Sequence, residues 1–387
     1  MKPVKIAVEH HSLNIPGGAE RLCLITIEAL RNRGHNVTLV SVERTDWNLV
    51  KKNFGSVTTP NHEAYVTKAR LSRNLTRMPI ASLYFLTYIA QLLAGKSGGK
   101  YDLTLNTFGD IINSIADLTY VHFPLRAAVS YSQIPAFSNR SMWQTVSPIY
   151  DAVTGTMDKI CPGNLLTNSK FMQKIIQDVL RRKSIVVYPP VGVETFSSRC
   201  YRPRKNGCMV AVVASYTPKR HLDQVPVIAK NSRFAKFVVM GKADEYSLPT
   251  LKRLKYLVKD LHVENKIRFL TNVPFSELAH MLSDAKLYLH VMHNDHFGIS
   301  VVEAMASGCV PIVHRSGGPW LDILDSQQGA YGYSYSNAEE AASIIDTLIT
   351  DEDLRSKIAS RASYRAKRFD RSVFMNKMVE VVEQIAS

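Results

Sequence analysis

Asn294-Asp295-His296-Phe297-Gly298-Ile299-Ser300-Val301-Val302-Glu303-Ala304-Met305-Ala306-Ser307-Gly308 decides the reading of this chain. It sets two carboxylates, Asp295 and Glu303, eight residues apart, with a Phe-Gly turn between them. The turn runs into a helical pattern, so Asp295 is expected in a loop and Glu303 on the first turns of the following helix. Backbone N–H groups from Phe297 to Ser300 then face outward at a helix start, where the dipole favours an anion. Carboxylates beside free amides suit a ligand that carries both hydroxyls and phosphates, such as a nucleotide sugar.

The surrounding sequence is α/β. Val4–Val8 is a short apolar strand, followed by a glycine-bearing loop and a helical pattern over Arg21–Arg33 that Gly34 stops. Asn36–Val42 is the next strand, which completes a β-α-β unit and predicts a parallel sheet. Strand patterns continue at Asp102–Leu105, Leu118–Val121, Asn164–Asn168 and Ile185–Tyr188. A second series opens at Cys208–Ala214 and runs through Phe237–Gly241, Ile267–Leu270, Leu287–His290 and Val310–Val313. The Pro- and Gly-rich stretch from Pro189 to Gly207 separates the two series. The expected domains are therefore 1–190 and 191–370, with an amphipathic helix over 371–387 packing back toward the first. Two doubly wound, Rossmann-like domains facing across a cleft bind ligands beyond the carboxyl ends of their strands.

At 387 residues the chain has material for two cores, and 45% hydrophobic with 21% charged residues is ordinary for a globular protein. The five cysteines are scattered, with no C-x-x-C spacing, which argues against a disulfide framework and favours a reducing, cytoplasmic setting. The N-terminus carries no signal-peptide pattern. Net charge is +15: residues 1–190 hold 22 Lys/Arg and 12 Asp/Glu, or +10, and the remainder 26 and 21, or +5. Such a balance points to an anionic partner or to a solvated basic surface.

Met78–Ala94 is a 17-residue run without charge. As a helix it would reach roughly 25 Å, short of a bilayer core of about 30 Å. Between Ala64 and Tyr101 lie six basic residues and no acidic one. An anionic membrane surface met through 64–101 and a core helix are the two readings.

Other residues carry chemistry. Gly17 and Gly18 open the first helix, where a backbone can approach a ligand or simply turn. The G-x-G-x-x-G fingerprint is absent, which disfavours a nicotinamide cofactor. His122 stands at the carboxyl end of a strand, beside Phe123-Pro124. Lys219 and Arg220 follow the first strand of the second series, where a fixed cation would stabilise a leaving diphosphate. Ser316-Gly317-Gly318-Pro319 is a turn that also permits close backbone approach. The spacing His290, His293, His296 with Asp295 admits a zinc reading, but the stretch crosses from strand to loop, and no metal is expected.

The order acidic-x7-Glu, with Phe-Gly inside and Glu-Ala-Met-Ala-x-Gly at its end, resembles the signature of the retaining family 4 glycosyltransferases. Tyr120–Pro124, Val187–Pro190, Leu289–Met292, Asn294–Ile299 and Ser316–Pro319 further resemble the α-1,2-mannosyltransferase subfamily of dolichol-linked oligosaccharide synthesis. The resemblance covers both halves and implies the GT-B architecture and metal-independent transfer without any cofactor. It implies a nucleotide-sugar donor, GDP-mannose by subfamily, and a polyprenyl-phosphate-linked glycan acceptor on the cytoplasmic face of a membrane, where the protein would be peripheral. By the same resemblance, Glu303 holds the ribose hydroxyls, Asp295 contacts the donor sugar and His122 positions that sugar. Arg220, with Lys219, neutralises the leaving diphosphate, which itself takes the acceptor proton. Gly17, Gly18, Phe297, Gly298, Ile299, Ser316 and Gly317 complete the donor site.

Two departures stand out. The family has Glu where this chain has Asp295, and its Arg-x-x-Pro-Glu-Lys run becomes Ser215, Pro218, Lys219 and Arg220 here. A UDP-sugar-dependent family 4 enzyme of cell-surface glycan synthesis, a sugar-nucleotide epimerase and a non-catalytic nucleotide-sugar-binding paralogue share these motifs. A nucleic-acid-binding protein would explain the charge but lacks a basic-aromatic module.

Overall fold

The structure is a computed structural model that describes residues 2–68, 100–109, 116–124, 127, 163–197 and 207–386. It divides into two compact units, Met1–Pro190 with Arg371–Ser387, and Val191–Asp370.

The first unit is built on a parallel sheet of seven strands. In chain order these are β1 (Lys5–Glu9), β2 (Asn36–Glu43), β3 (His62–Thr67), β4 (Leu103–Asn106), β5 (Leu118–Val121), β6 (Asn164–Thr167) and β7 (Ile185–Val186). Their order in the sheet is β3-β2-β1-β4-β5-β6-β7. The inner strands are mainly apolar segments buried along nearly their whole length, as a sheet covered on both faces requires. Helix Gly18–Asn32 follows β1 and buries Leu22, Ile27 and Leu30. The C-terminal helix Arg371–Ala386 packs on it, adding Phe374, Met378, Val381 and Val382 to the same core, and Arg371 pairs with Glu28 across the contact.

The second unit repeats the plan with β8 (Met209–Val213), β9 (Lys236–Gly241), β10 (Ile267–Thr271), β11 (Leu287–His290), β12 (Val310–His314) and β13 (Tyr333–Tyr335). The sheet order is β10-β9-β8-β11-β12-β13, again all parallel. Each sheet reverses its winding once, between β1 and β4 and between β8 and β11. Loops leaving those strands diverge to opposite faces and open a crevice at the carboxyl edge.

The Met78–Ala94 segment lies outside the described residues. No helix among the described residues is long and apolar enough to cross a membrane.

Candidate active site

In the Val191–Asp370 unit the switch point sets the site. Strand β8 delivers Ala214–His221 and β11 delivers Val291–Gly298; the two strands are neighbours, with Tyr288 opposite Ala211. The β8 loop ends in a short 3-10 turn, Pro218–Arg220. Lys219 is exposed there, whereas Arg220 is half-buried and reaches Met292, with Nη1 2.9 Å from Sδ. Its Nε is buried without a hydrogen-bond partner among the described residues. A guanidinium N–H withdrawn from water and left unpaired is costly, so it is poised for an anionic oxygen.

Asp295 lies beside it. His290 Nε2 is 3.0 Å from Asp295 Oδ2, and the two side chains are 6% and 14% exposed. Burial works against ionisation of Asp295, but the His290 hydrogen bond and the charges of His290, Arg220 and His296 prevail. They hold the carboxyl well below the usual range, so it is an anion at neutral pH.

The loop that carries Asp295 is clasped from below by Ser316-Gly317-Gly318. Ser316 Oγ accepts from Asn294 N–H (2.9 Å) and meets His314 Nδ1 (2.7 Å), and Gly318 N–H donates to the Asp295 carbonyl (2.8 Å). Gly317 has φ +73, and a Cβ there would lie 2.5 Å from the Asp295 carbonyl oxygen. The close approach that these glycines permit is therefore to backbone, Gly317 to that of Asp295 and Gly318 to that of His296 and Phe297.

Gly298, with φ +93, turns the chain into helix Ile299–Ala306. Val301 N–H already bonds to the Gly298 carbonyl, and the amides of Ile299 and Ser300 have no acceptor within the helix. Phe297 is 3% exposed and packs edge-to-face on Phe369 at 5.4 Å, so what it offers a ligand is backbone. Ile299 and Glu303 are half-buried on a helix whose Val301, Val302, Ala304, Met305 and Ala306 are buried.

Tyr288, which the sequence shows only as a core position of β11, belongs to the constellation. Its hydroxyl donates to Ser300 Oγ at 2.8 Å. Burial first, and then the negative charges of Glu303 and Asp295, push the phenol upward, so it stays neutral. Both carboxylates thus act on one hydroxyl.

The histidines do not converge as zinc ligands. His290 serves Asp295, while His293 stacks between His221 (4.5 Å) and His314 (3.7 Å). Burial and the neighbouring imidazoles lower His293 and take His314 down to about 4, so these two rings are neutral at pH 7.

In the first unit, the carboxyl ends of β1, β4 and β5 meet at Thr107. Its hydroxyl is 3.0 Å from His10 Nδ1 and donates to the Glu9 carbonyl, and its own carbonyl accepts from His122 Nε2 at 3.0 Å. His122 is half-buried and its carbonyl accepts from Asn168 Nδ2. Gly17 is the extended residue before helix Gly18–Asn32, and the space its missing Cβ leaves is filled by the Glu20 carboxylate. The sequence-predicted residues therefore fall into two groups. His122, Gly17 and Gly18 are in the first unit, and Lys219, Arg220, Asp295–Ile299, Glu303, Ser316 and Gly317 in the second.

Residues 194–365 match the family model of glycosyl transferases group 1. A GDP-Man:Man(3)GlcNAc(2)-PP-Dol alpha-1,2-mannosyltransferase of Homo sapiens is 34% identical over 217 residues, 52% of this chain and 44% of the relative. Its namesake from Dictyostelium discoideum is 25% identical over 323 residues, 78% and 62%. That of Mus musculus is 30% identical over 289 residues, 66% and 58%. The chain thus spans about half the length of the relatives it matches. Among solved structures, Anabaena Alr3699/HepE in complex with UDP and glucose superposes with a TM-score of 0.71 at 19% identity, covering 98% of this chain and all of that one. Sucrose-phosphate synthase from Thermosynechococcus elongatus gives 0.75 at 14% identity, covering 99% of each chain. The fold is thereby GT-B. Residues 194–365 of this chain are thus similar to the glycosyl transferases group 1 family.

Proposed function

We propose that the protein transfers mannose from GDP-mannose, with retention of α configuration, to a polyprenyl-phosphate-linked oligosaccharide at the cytoplasmic face of a membrane. One observation carries the reading: Arg220, with a buried and unpaired Nε, stands beside ionised Asp295 at the carboxyl edge of a group 1 domain. Arg220 and the first amides of helix Ile299–Ala306 suit a diphosphate that gains charge as the glycosidic bond breaks. Asp295 and Glu303 suit hydroxyls of the sugar and the ribose. His122 is assigned to the transferred sugar, and no protein nucleophile and no metal is assigned to the reaction. The mannosyl donor and the lipid-linked acceptor follow the names of the relatives. The basic residues of 64–101 suit an anionic membrane surface.

A UDP-sugar donor is the second reading, favoured by the UDP held in the HepE structures. Donor binding by the purified protein separates the two. GDP-mannose should stabilise it over UDP-glucose, UDP-galactose and UDP-N-acetylglucosamine, and Glu303→Ala should abolish the effect. Preference for a UDP-sugar would discard the mannosyl assignment, and binding to none would discard the enzyme. Flotation with anionic liposomes at low salt tests the membrane surface; no association would remove it.

A further inference from the structure

We propose that the loop between β1 and the first helix binds one zinc ion through His10, His11 and Glu20. The ligand atoms of His10, His11 and Glu20 all lie within 4.8 Å of one another. Glu20 Oε1 is 3.7 Å from His10 Nε2 and 3.9 Å from His11 Nε2. Bond lengths of about 2.0–2.1 Å to zinc place tetrahedral ligands roughly 3.3 Å apart, so the two separations from Glu20 need to close by about half an ångström.

Two features separate this group from a packed polar cluster. His10 and His11 are 2% and 7% exposed, yet among the described residues His10 Nε2 and His11 Nδ1 have no hydrogen-bond partner. Buried ring nitrogens are rarely left so. The His10 tautomer is also fixed. Thr107 Oγ1 spends its proton on the Glu9 carbonyl, so it accepts from His10 Nδ1–H and the Nε2 lone pair is directed at Glu20. This is the outer hydrogen bond by which a metal-bound histidine is usually oriented.

The ion is structural: it would tie the β1 loop to the first helix and fix the Gly17 turn around Glu20, and transfer is not routed through it.

The test uses the full chain, loaded and dialysed, with zinc measured by elemental analysis and Co2+ as an optical probe. One tightly held equivalent is expected, with the visible bands of tetrahedral Co2+. His11→Ala and Glu20→Gln should lose the ion. Thr107→Val, a positioning change, should weaken binding about 10- to 100-fold with unchanged circular dichroism. If His11→Ala fails to fold, Glu20→Gln and the wild-type Co2+ spectrum still decide. No retained equivalent, an octahedral Co2+ spectrum, or retention unchanged in Glu20→Gln but lost in His293→Ala would overturn the site.

Discussion

Replacing Gly317 by Ala tests how Asp295 is held. The new Cβ would stand 2.5 Å from the Asp295 carbonyl oxygen and 2.7 Å from its nitrogen, whereas ordinary contact begins near 3.4 Å. The neighbour must therefore give by 3.4 − 2.5 = 0.9 Å, and that neighbour is backbone, not a flexible side-chain tip. The φ of +73 adds the cost of a left-handed conformation, about 1–2 kcal/mol for a residue with a Cβ. Stability should fall by roughly 2–3 kcal/mol, within the range of overpacking and strained φ together. Most of the movement goes to Asp295, which is pinned on its other side by His290 at 3.0 Å. A displacement near 1 Å at the group proposed to contact the reacting sugar can cost on the order of 100-fold in rate. The assay is kcat and KM for transfer at a temperature where circular dichroism shows the variant folded, beside a urea titration. A fall in kcat with the fold intact is expected. Full activity with a stability loss would show that the clasp serves packing alone. No change in either would refute the geometry.

Other outcomes follow from the same residues. His314 sits at about 4 when folded against about 6.5 unfolded, so the unfolded state binds more protons between those values. Stability contributed by the stack is complete above pH 6.5 and is lost as pH falls toward 4. After discounting for the half-exposed ring this is roughly 1–2 kcal/mol, and NMR titration of the His314 ring should find it neutral at pH 5.5. Arg220→Met keeps length but not charge and should lower kcat by about 10²–10³, measured by steady-state kinetics, with Arg220→Lys intermediate. Tyr288→Phe removes the bond to Ser300 and should cost about 0.5–1.5 kcal/mol in urea, with donor binding weakened rather than lost.

The two parallel sheets were legible because their inner strands are short, mainly apolar segments buried along nearly their whole length. Two of the four edge strands were not: β3 is only half-buried and β13 has three residues, Tyr333–Tyr335. The first helix begins at Gly18 rather than Arg21, because the extended Gly17 precedes it and Glu20 folds back into the space beside it. The acidic-x7-Glu run announced a loop and a helix start by its Phe-Gly turn, and both are present. What holds Asp295 was hidden. His290 was visible only as one of three spaced histidines, and Tyr288 only as a strand residue. The stack of His221, His293 and His314 joins three segments that no local pattern connects. The pair His10-His11 gave no signal either, since its partners Glu20 and Thr107 come from a helix and a distant strand end.

The most direct measurement is transfer itself: purified protein, GDP-mannose labelled in the sugar, and a polyprenyl-diphosphate oligosaccharide ending in mannose, with product linkage read by NMR. Label should pass to the lipid-linked glycan in α linkage, at a rate cut at least 100-fold by Glu303→Ala and Arg220→Met. Label remaining in the donor, a β-linked product, or equal transfer by both variants would contradict the proposed function and the roles given to those residues.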